Sequence, residues 1–275
     1  MRSLVVLGGI VCGCYAPQIA TDIPCGEGEV CPRGQVCSRG VCRTTPHDGV
    51  DAPSDGPSND APTDAPDAPP PIDAPPVPAM MKFGDRAGAI AGTLVDTFLP
   101  SWGAANNLGS HPDLHLTHDP NDPILIRVDV SMVPAHATVT SARLKLYVQT
   151  DSIPSGTSIR IFEMNESWTE GNIDNAAGIA NQTHRHTGVM WSATSAHPPS
   201  RDVSPVATVT ASSNVEIGSE ITLDVPTAVV ASWISSPSTN HGLAMFVNGT
   251  DFYCEVGSTE ASVSAHRPVL ELSLQ

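Results

Sequence analysis

From residue 83 onward, apolar and polar side chains alternate along the chain with a period of two. The run 142–148 reads Ala-Arg-Leu-Lys-Leu-Tyr-Val, with Leu144, Leu146 and Val148 on one face and Arg143, Lys145 and Tyr147 on the other. The runs 157–164, 220–225 and 268–274 follow the same rule, and 124–130 follows it in its second half. Clusters of Gly, Pro, Asn and Asp separate them. A period of two is the period of a strand, and many short strands divided by turn residues predict an antiparallel sandwich or barrel. One segment departs. Asp224-Val225-Pro226-Thr227 leads into 228–234, Ala-Val-Val-Ala-Ser-Trp-Ile. A proline near the first turn, behind a capping Asp224, predicts one short helix that buries Val229, Val230 and Trp233. The region 83–275 is long enough for one domain that buries roughly 70% of its unfolded surface.

The pattern ahead of residue 83 is different. Residues 4–11 are Leu-Val-Val-Leu-Gly-Gly-Ile-Val behind Arg2. This apolar run falls short of the about 20 residues a bilayer span needs, so it reads as the core of an export signal. Val11-Cys12-Gly13-Cys14 resembles a bacterial lipoprotein box. Residues 1–13 are then the signal and Cys14 the acylated residue. Cys12 is unusual in its place; as the anchor it would put Val11 where a small residue belongs. The competing reading is a signal that is cleaved without lipidation. Tyr15 follows Cys14, with no Asp in that position, which resembles sorting to an outer membrane and exposure at the surface.

Four cysteines follow within 14–45, at Cys25, Cys31, Cys37 and Cys42, with glycines between them. A segment this short cannot bury a useful core, so cross-links must hold it, and export permits them. Two disulfides are expected, and spacing leaves all three pairings open. A four-thiolate zinc site would prefer C-x2-C pairs, which are absent. Cys254, in Phe-Tyr-Cys-Glu-Val, reads as a buried free thiol.

Residues 46–82 are dominated by Asp-Ala-Pro, which recurs from Asp51 to Pro75. Proline excludes helix and sheet, and like-charged aspartates repel one another. The tract is expected to be a disordered stalk, with a reach on the order of 100 Å at about 3.1 Å per residue.

The domain also contains an ordered set of short motifs. Asp96-Thr97-Phe98 is followed by Asn107-Leu108-Gly109 and Leu114-His115-Leu116. Next come Leu125-Ile126-Arg127-Val128-Asp129 and the run 139–147. Trp168-Thr169-Glu170-Gly171 and the helix with Trp233 precede Asn240-His241-Gly242-Leu243. Ser258-Thr259-Glu260 and Arg267-Pro268-Val269-Leu270 close the series. In this order, from about Leu94 to the C-terminus, the set resembles the DNRLRE domain, also described as a disaggregatase-related repeat and as a carbohydrate-binding module. The resemblance implies a jelly-roll sandwich on secreted or surface proteins, with polysaccharide binding in some members. It makes Arg127, Trp168, Trp233, Glu260 and Arg267 structural; Arg127 and Glu260 are expected to form a buried ion pair. Members usually carry Phe where this chain has Val128.

Nucleophile-elbow, zinc-protease, P-loop and dinucleotide signatures are absent, so no catalytic residue is assigned. Glu163, Glu166 and Glu170 cluster around Trp168, but carboxylates at a strand end are ordinarily solvated. His184 and His186 lack a third metal ligand. Asp113, Asp119 and Asp122, near Asn121, make calcium the one plausible cofactor, although their spacing matches no defined calcium loop. Trp102 and Trp191 lie in Gly/Ser/Pro surroundings and are the candidates to stack on a sugar. The net charge is −16, and the region from residue 80 onward holds nine Lys and Arg against nineteen Asp and Glu. Such a surface excludes nucleic acid as a partner and disfavours strongly anionic glycans.

The sequence therefore predicts an all-β protein without enzymatic activity: a jelly-roll that binds polysaccharide, held from an envelope membrane by a lipid and a stalk. A surface adhesin that contacts another protein is the alternative, and a polysaccharide-cleaving enzyme the remote one.

Overall fold

The computed structural model describes residues 76–248 and 252–275, with the backbone of 23–24, 36–38 and 41–43. The chain divides into two units between residues 71 and 72. In the first, the three short segments pair as an antiparallel sheet that sets Cys37 opposite Cys42. Cys14, the four-cysteine side chains and most of the stalk lie outside the described residues.

The second unit is an antiparallel sandwich. In chain order its strands are β1 (Met80–Phe83), β2 (Leu94–Phe98), β3 (Asp113–Thr117), β4 (Ile124–Val128), β5 (Val139–Thr150), β6 (Ser158–Glu163), β7 (Ala207–Thr210) and β8 (Glu220–Asp224). After helix α1 (Thr227–Ser235) come β9 (Leu243–Asn248), β10 (Tyr253–Gly257) and β11 (Val269–Leu274). One sheet has the order β7-β6-β9-β4-β2, and the other β1-β11-β5-β10-β3 with β8 also on β5. From β1 to β6 the chain changes sheet at every step, which is the winding of a jelly roll.

The inward residues follow the period-two reading. Leu144, Leu146 and Val148 of β5 meet Ile159 and Ile161 of β6, Met245 and Val247 of β9, and Leu270 and Leu272 of β11 in one continuous core. The helix spans the expected residues and buries Val229, Val230 and Trp233. Its start differs from expectation. Pro226 occupies the N-cap without a side-chain bond. Asp224 ends β8 and lies 3.7 Å from Arg143. Trp233 donates its Nε1–H to Glu163 Oε1 at 3.1 Å. Cys254 is a buried free thiol, and burial pushes its pKa up to about 12.

The five-stranded sheet is apolar on both faces. Leu125, Phe162, Ala244 and Phe246 point away from the main core into a second cluster with Leu99, Met164, Trp168, Ala180, Trp191 and Ala196. The long connection between β6 and β7 supplies its cover. Within that connection, Arg201 lies 3.9 Å from the Phe162 ring centroid and 4.6 Å from that of Phe246, as a cationic lid on the aromatic pair. This second burial explains why Ile124-Leu125-Ile126 of β4 and residues 243–247 of β9 read as unbroken apolar runs.

The two layers predict where tryptophans matter for folding. Trp233→Ala should destabilise the protein by about 3–5 kcal/mol, the usual cost of emptying a buried Trp site. Trp191→Ala should also lower stability, because it uncovers the second cluster. Urea unfolding of the full chain measures both; a variant midpoint equal to wild type would contradict the corresponding assignment.

Candidate functional site

Four motifs that carry the family resemblance meet at the open edge of β2. Asp96 lies on that edge strand and is 1% exposed. Its backbone N–H donates to Glu170 Oε1 at 2.7 Å, and its Oδ2 accepts the Thr259 N–H at 2.9 Å. Thr259 Oγ1 donates to Glu260 Oε2 at 2.7 Å. Asn107 fixes the segment that carries Glu170: its Nδ2 donates to the Glu170 and Ala180 carbonyls, and its Oδ1 accepts from Ile173 N. Gly109 and Gly171 are required here. A Cβ on Gly109 would collide with the Glu170 carbonyl, and one on Gly171, whose φ is +85°, would collide with Asn107.

One carboxylate oxygen from each of Asp96, Glu170 and Glu260 lies within 4.8 Å of the other two. Burial raises the Asp96 pKa well above its ordinary value, and Glu260 and Glu170 raise it further. Burial first, and then Glu260, push Glu170 up to about 7; Arg127 opposes the shift. Asp96 Oδ1 is buried without a hydrogen-bond partner. Carboxylates that hydrolyse a glycoside must flank a bond of the substrate. Asp96 is closed off from solvent, so this cluster does not have that arrangement.

The expected Arg127–Glu260 ion pair is not formed. Arg127 instead donates Nη1–H to the Trp168 carbonyl at 3.0 Å, with its guanidinium carbon 5.4 Å from the Trp168 ring centroid. Glu260 turns toward Thr259 and the two other acids because its own backbone N–H is held by Ser258 Oγ. Trp168 is buried and donates Nε1–H to the His241 carbonyl at 2.8 Å. Arg267 bonds the Ala261 carbonyl at 2.8 Å and so folds the turn between β10 and β11. Arg127 also separates two grooves of about 400 Å³ each. One runs past Asp129, Ser131, Pro237 and Asn240; the other runs past Val95, Thr169, Glu170 and Asn172.

The two sugar-stacking candidates separate. Trp102, on a short 3-10 turn after β2, is 57% exposed. Trp191 is 5% exposed and donates Nε1–H to the Asn181 carbonyl at 2.8 Å. Trp191 therefore packs in the second cluster rather than offering a face to a ligand. Its Gly/Ser surroundings in sequence belong to an ordered cover over the sheet, which local composition does not reveal.

The loops around Trp102 are cross-braced. Ser101 Oγ donates to Asp119, and Ser101 N–H donates to Asp122. Asp119 also accepts from Asn121. Gln182 reaches the Leu99 and Asn121 carbonyls, and His197 Nε2 lies 3.3 Å from Asn121 Oδ1. Asp119 and Asp122 are thus spent on turn bonds, while Asp113 sits on β3. The three do not gather into a calcium centre. Among the described residues the only three-acid cluster of that kind is Asp96, Glu170 and Glu260. His186 is held by Ser167 and Thr169, and His184 by Thr183.

A second aromatic feature lies on the outer face of the other sheet and was missed from sequence. Tyr147 of β5 stacks on His266, with centroids 3.8 Å apart and planes 9° apart, beside a groove lined by Arg86, Ala87, Glu220 and Ser264. Tyr147 was visible as an outward position of β5; its partner was not, because 118 residues separate the two in sequence.

The elevated Glu170 pKa gives a signed prediction. The folded state holds a proton that the unfolded chain releases near pH 4.5. The stability this proton contributes is present below that pH and is lost as pH rises through about 7. Wild type should therefore lose stability relative to Glu170→Gln between pH 5 and pH 8 in chelator-treated buffer. Urea midpoints across this range check it; parallel curves for the two proteins would contradict the shift.

The model of carbohydrate-binding module family 96 matches residues 93–176. The matched stretch runs from β2 past β6 and contains Asp96, Trp102, Asn107, Arg127, Trp168 and Glu170. No curated protein matches the chain. A carbohydrate-binding-module-like domain with an antiparallel β-sandwich fold is thus present in this chain.

Proposed function

We propose that the chain is a non-catalytic surface protein that presents a polysaccharide-binding jelly-roll on a stalk anchored by lipid at Cys14. The observation that carries the binding role is Trp102. It is a large exposed aromatic on a braced loop, inside the stretch matched by the carbohydrate-binding module. An exposed indole can stack on the apolar face of a pyranose while neighbouring polar groups bond its hydroxyls. Asn121, Gln182 and His197 supply such groups in the same set of loops. The acidic balance of the region favours a neutral glycan over an anionic one.

The domain is further proposed to be of the DNRLRE type from about Leu94 to the C-terminus. Motif pieces beyond the matched stretch, Trp233, Thr259, Glu260 and Arg267, belong to the same sandwich, which supports this extent. The cysteine segment is proposed to hold two disulfides among Cys25, Cys31, Cys37 and Cys42. The stalk is proposed to hold the domain away from the outer membrane.

Trp102→Ala should weaken retention on a bound polysaccharide by roughly tenfold or more, the scale of an interface hot-spot Trp. Its melting temperature should stay within a degree or two of wild type, because the ring buries little. Affinity electrophoresis of the full chain against neutral and acidic polysaccharides, with thermal melts alongside, measures both. If no glycan retains wild type, or Trp102→Ala is retained equally, the Trp102 site is wrong.

The anchor has a separate test. Mass spectrometry of the mature N-terminus should find a diacylglyceryl-modified Cys14. An unmodified start at another residue would refute the lipid anchor without touching the glycan reading.

A further inference from the structure

We propose that Asp96, Glu170 and Glu260 form a calcium site that fastens the open edge of the sandwich. Three independent chain segments supply the acids: edge strand β2, the connection after β6, and the turn after β10. Their ligand oxygens already lie within 4.8 Å of one another. Each acid is oriented by a bond to the frame, Asp96 by Thr259 N, Glu170 by Asp96 N and Glu260 by Thr259 Oγ1. The second observation is Asp96 Oδ1, a carboxyl oxygen that is buried with no hydrogen-bond partner. Among the described residues no Lys or Arg makes an ion pair with any of the three. A buried carboxylate such as Asp96, with no ion-pair partner, is costly, and a bound cation removes that cost.

The donor set selects the metal. It is all oxygen and contains no His or Cys, which points to a hard cation rather than zinc or copper. Calcium accepts six to eight oxygens in irregular geometry and binds carboxylates through one or both oxygens. Magnesium demands a near-ideal octahedron at shorter range. Carboxylates from a strand, a long connection and a turn suit the larger ion. Glu170 also lines the groove beside Arg127, so the ion would set the wall of that groove as well as the edge of the sheet. This inference does not depend on the sugar reading or on Trp102.

The test uses the full chain after chelator treatment. Calcium should raise its melting temperature by roughly 5–10 °C at a hundredfold excess over the dissociation constant. Calorimetry should show one equivalent bound, and magnesium at the same concentration should shift the melt less. Glu260→Gln should lose the calcium response, whereas Asp119→Asn should keep it. Native mass spectrometry of wild type provides a reading that needs no variant, and one calcium per chain is expected. The proposal is overturned by no calcium on wild type, by a response that survives Glu260→Gln, or by an equal response to magnesium.

Discussion

A sheet that carries large apolar side chains on both faces cannot leave either in water. The five-stranded sheet of this protein is such a sheet. One face meets the opposing sheet across the main core; the other presents Leu125, Phe162, Ala244 and Phe246. Each fully buried Leu or Phe side chain contributes roughly 1.5–3 kcal/mol, so the outer face must find a cover. The connection between β6 and β7 is that cover. Trp168 and Trp191 are its anchors, with their N–H groups satisfied by the His241 and Asn181 carbonyls, as buried indoles require.

Covering one face creates a problem at the edge. The connection must pass the exposed side of β2, where an edge strand offers unpaired backbone groups. Here the edge is closed by side chains rather than by another strand. Glu170 accepts the Asp96 N–H, and Asp96 in turn accepts the Thr259 N–H from the turn after β10. Asn107 holds the connection in register from behind, and Gly109 and Gly171 allow the backbones to come this close. The Asp96 N–H on that edge is thereby already bonded. The consequence is three carboxylates in one place, with Asp96 fully enclosed.

The strands and the helix were legible because one-sided burial writes a period into the sequence. β5, β8 and β11 show it plainly, and α1 was located to within one residue at its C-terminus. Where both faces are buried the period vanishes. β9 reads Leu-Ala-Met-Phe-Val, an unbroken run that alternation cannot identify. The motifs were visible, but their partners were not. Glu260 looked like the counter-ion of Arg127, since an acid and a base in apolar strands invite pairing. The fold brings Glu260 to two other acids across 164 and 90 positions, and no local pattern encodes that meeting. Trp191 misled for a related reason. Gly and Ser neighbours mark a loop, and a loop over an apolar sheet is an interior.

The division of aromatic residues follows from the same constraint. A tryptophan in the cover over the second face is recruited into packing, because a large apolar surface lies directly beneath it. Trp191 had no alternative once the connection crossed Phe246 and Ala244. Trp102 precedes the cover in sequence and stands on the short turn after β2, where Ser101 is pinned by Asp119 and Asp122. Pinning matters for recognition, because a rigid platform loses little conformational freedom when a ligand arrives. An exposed indole on a mobile loop would collapse onto the nearest apolar surface. Held by its neighbours, Trp102 stays in water, and the part of the sandwich it occupies remains available to a ligand.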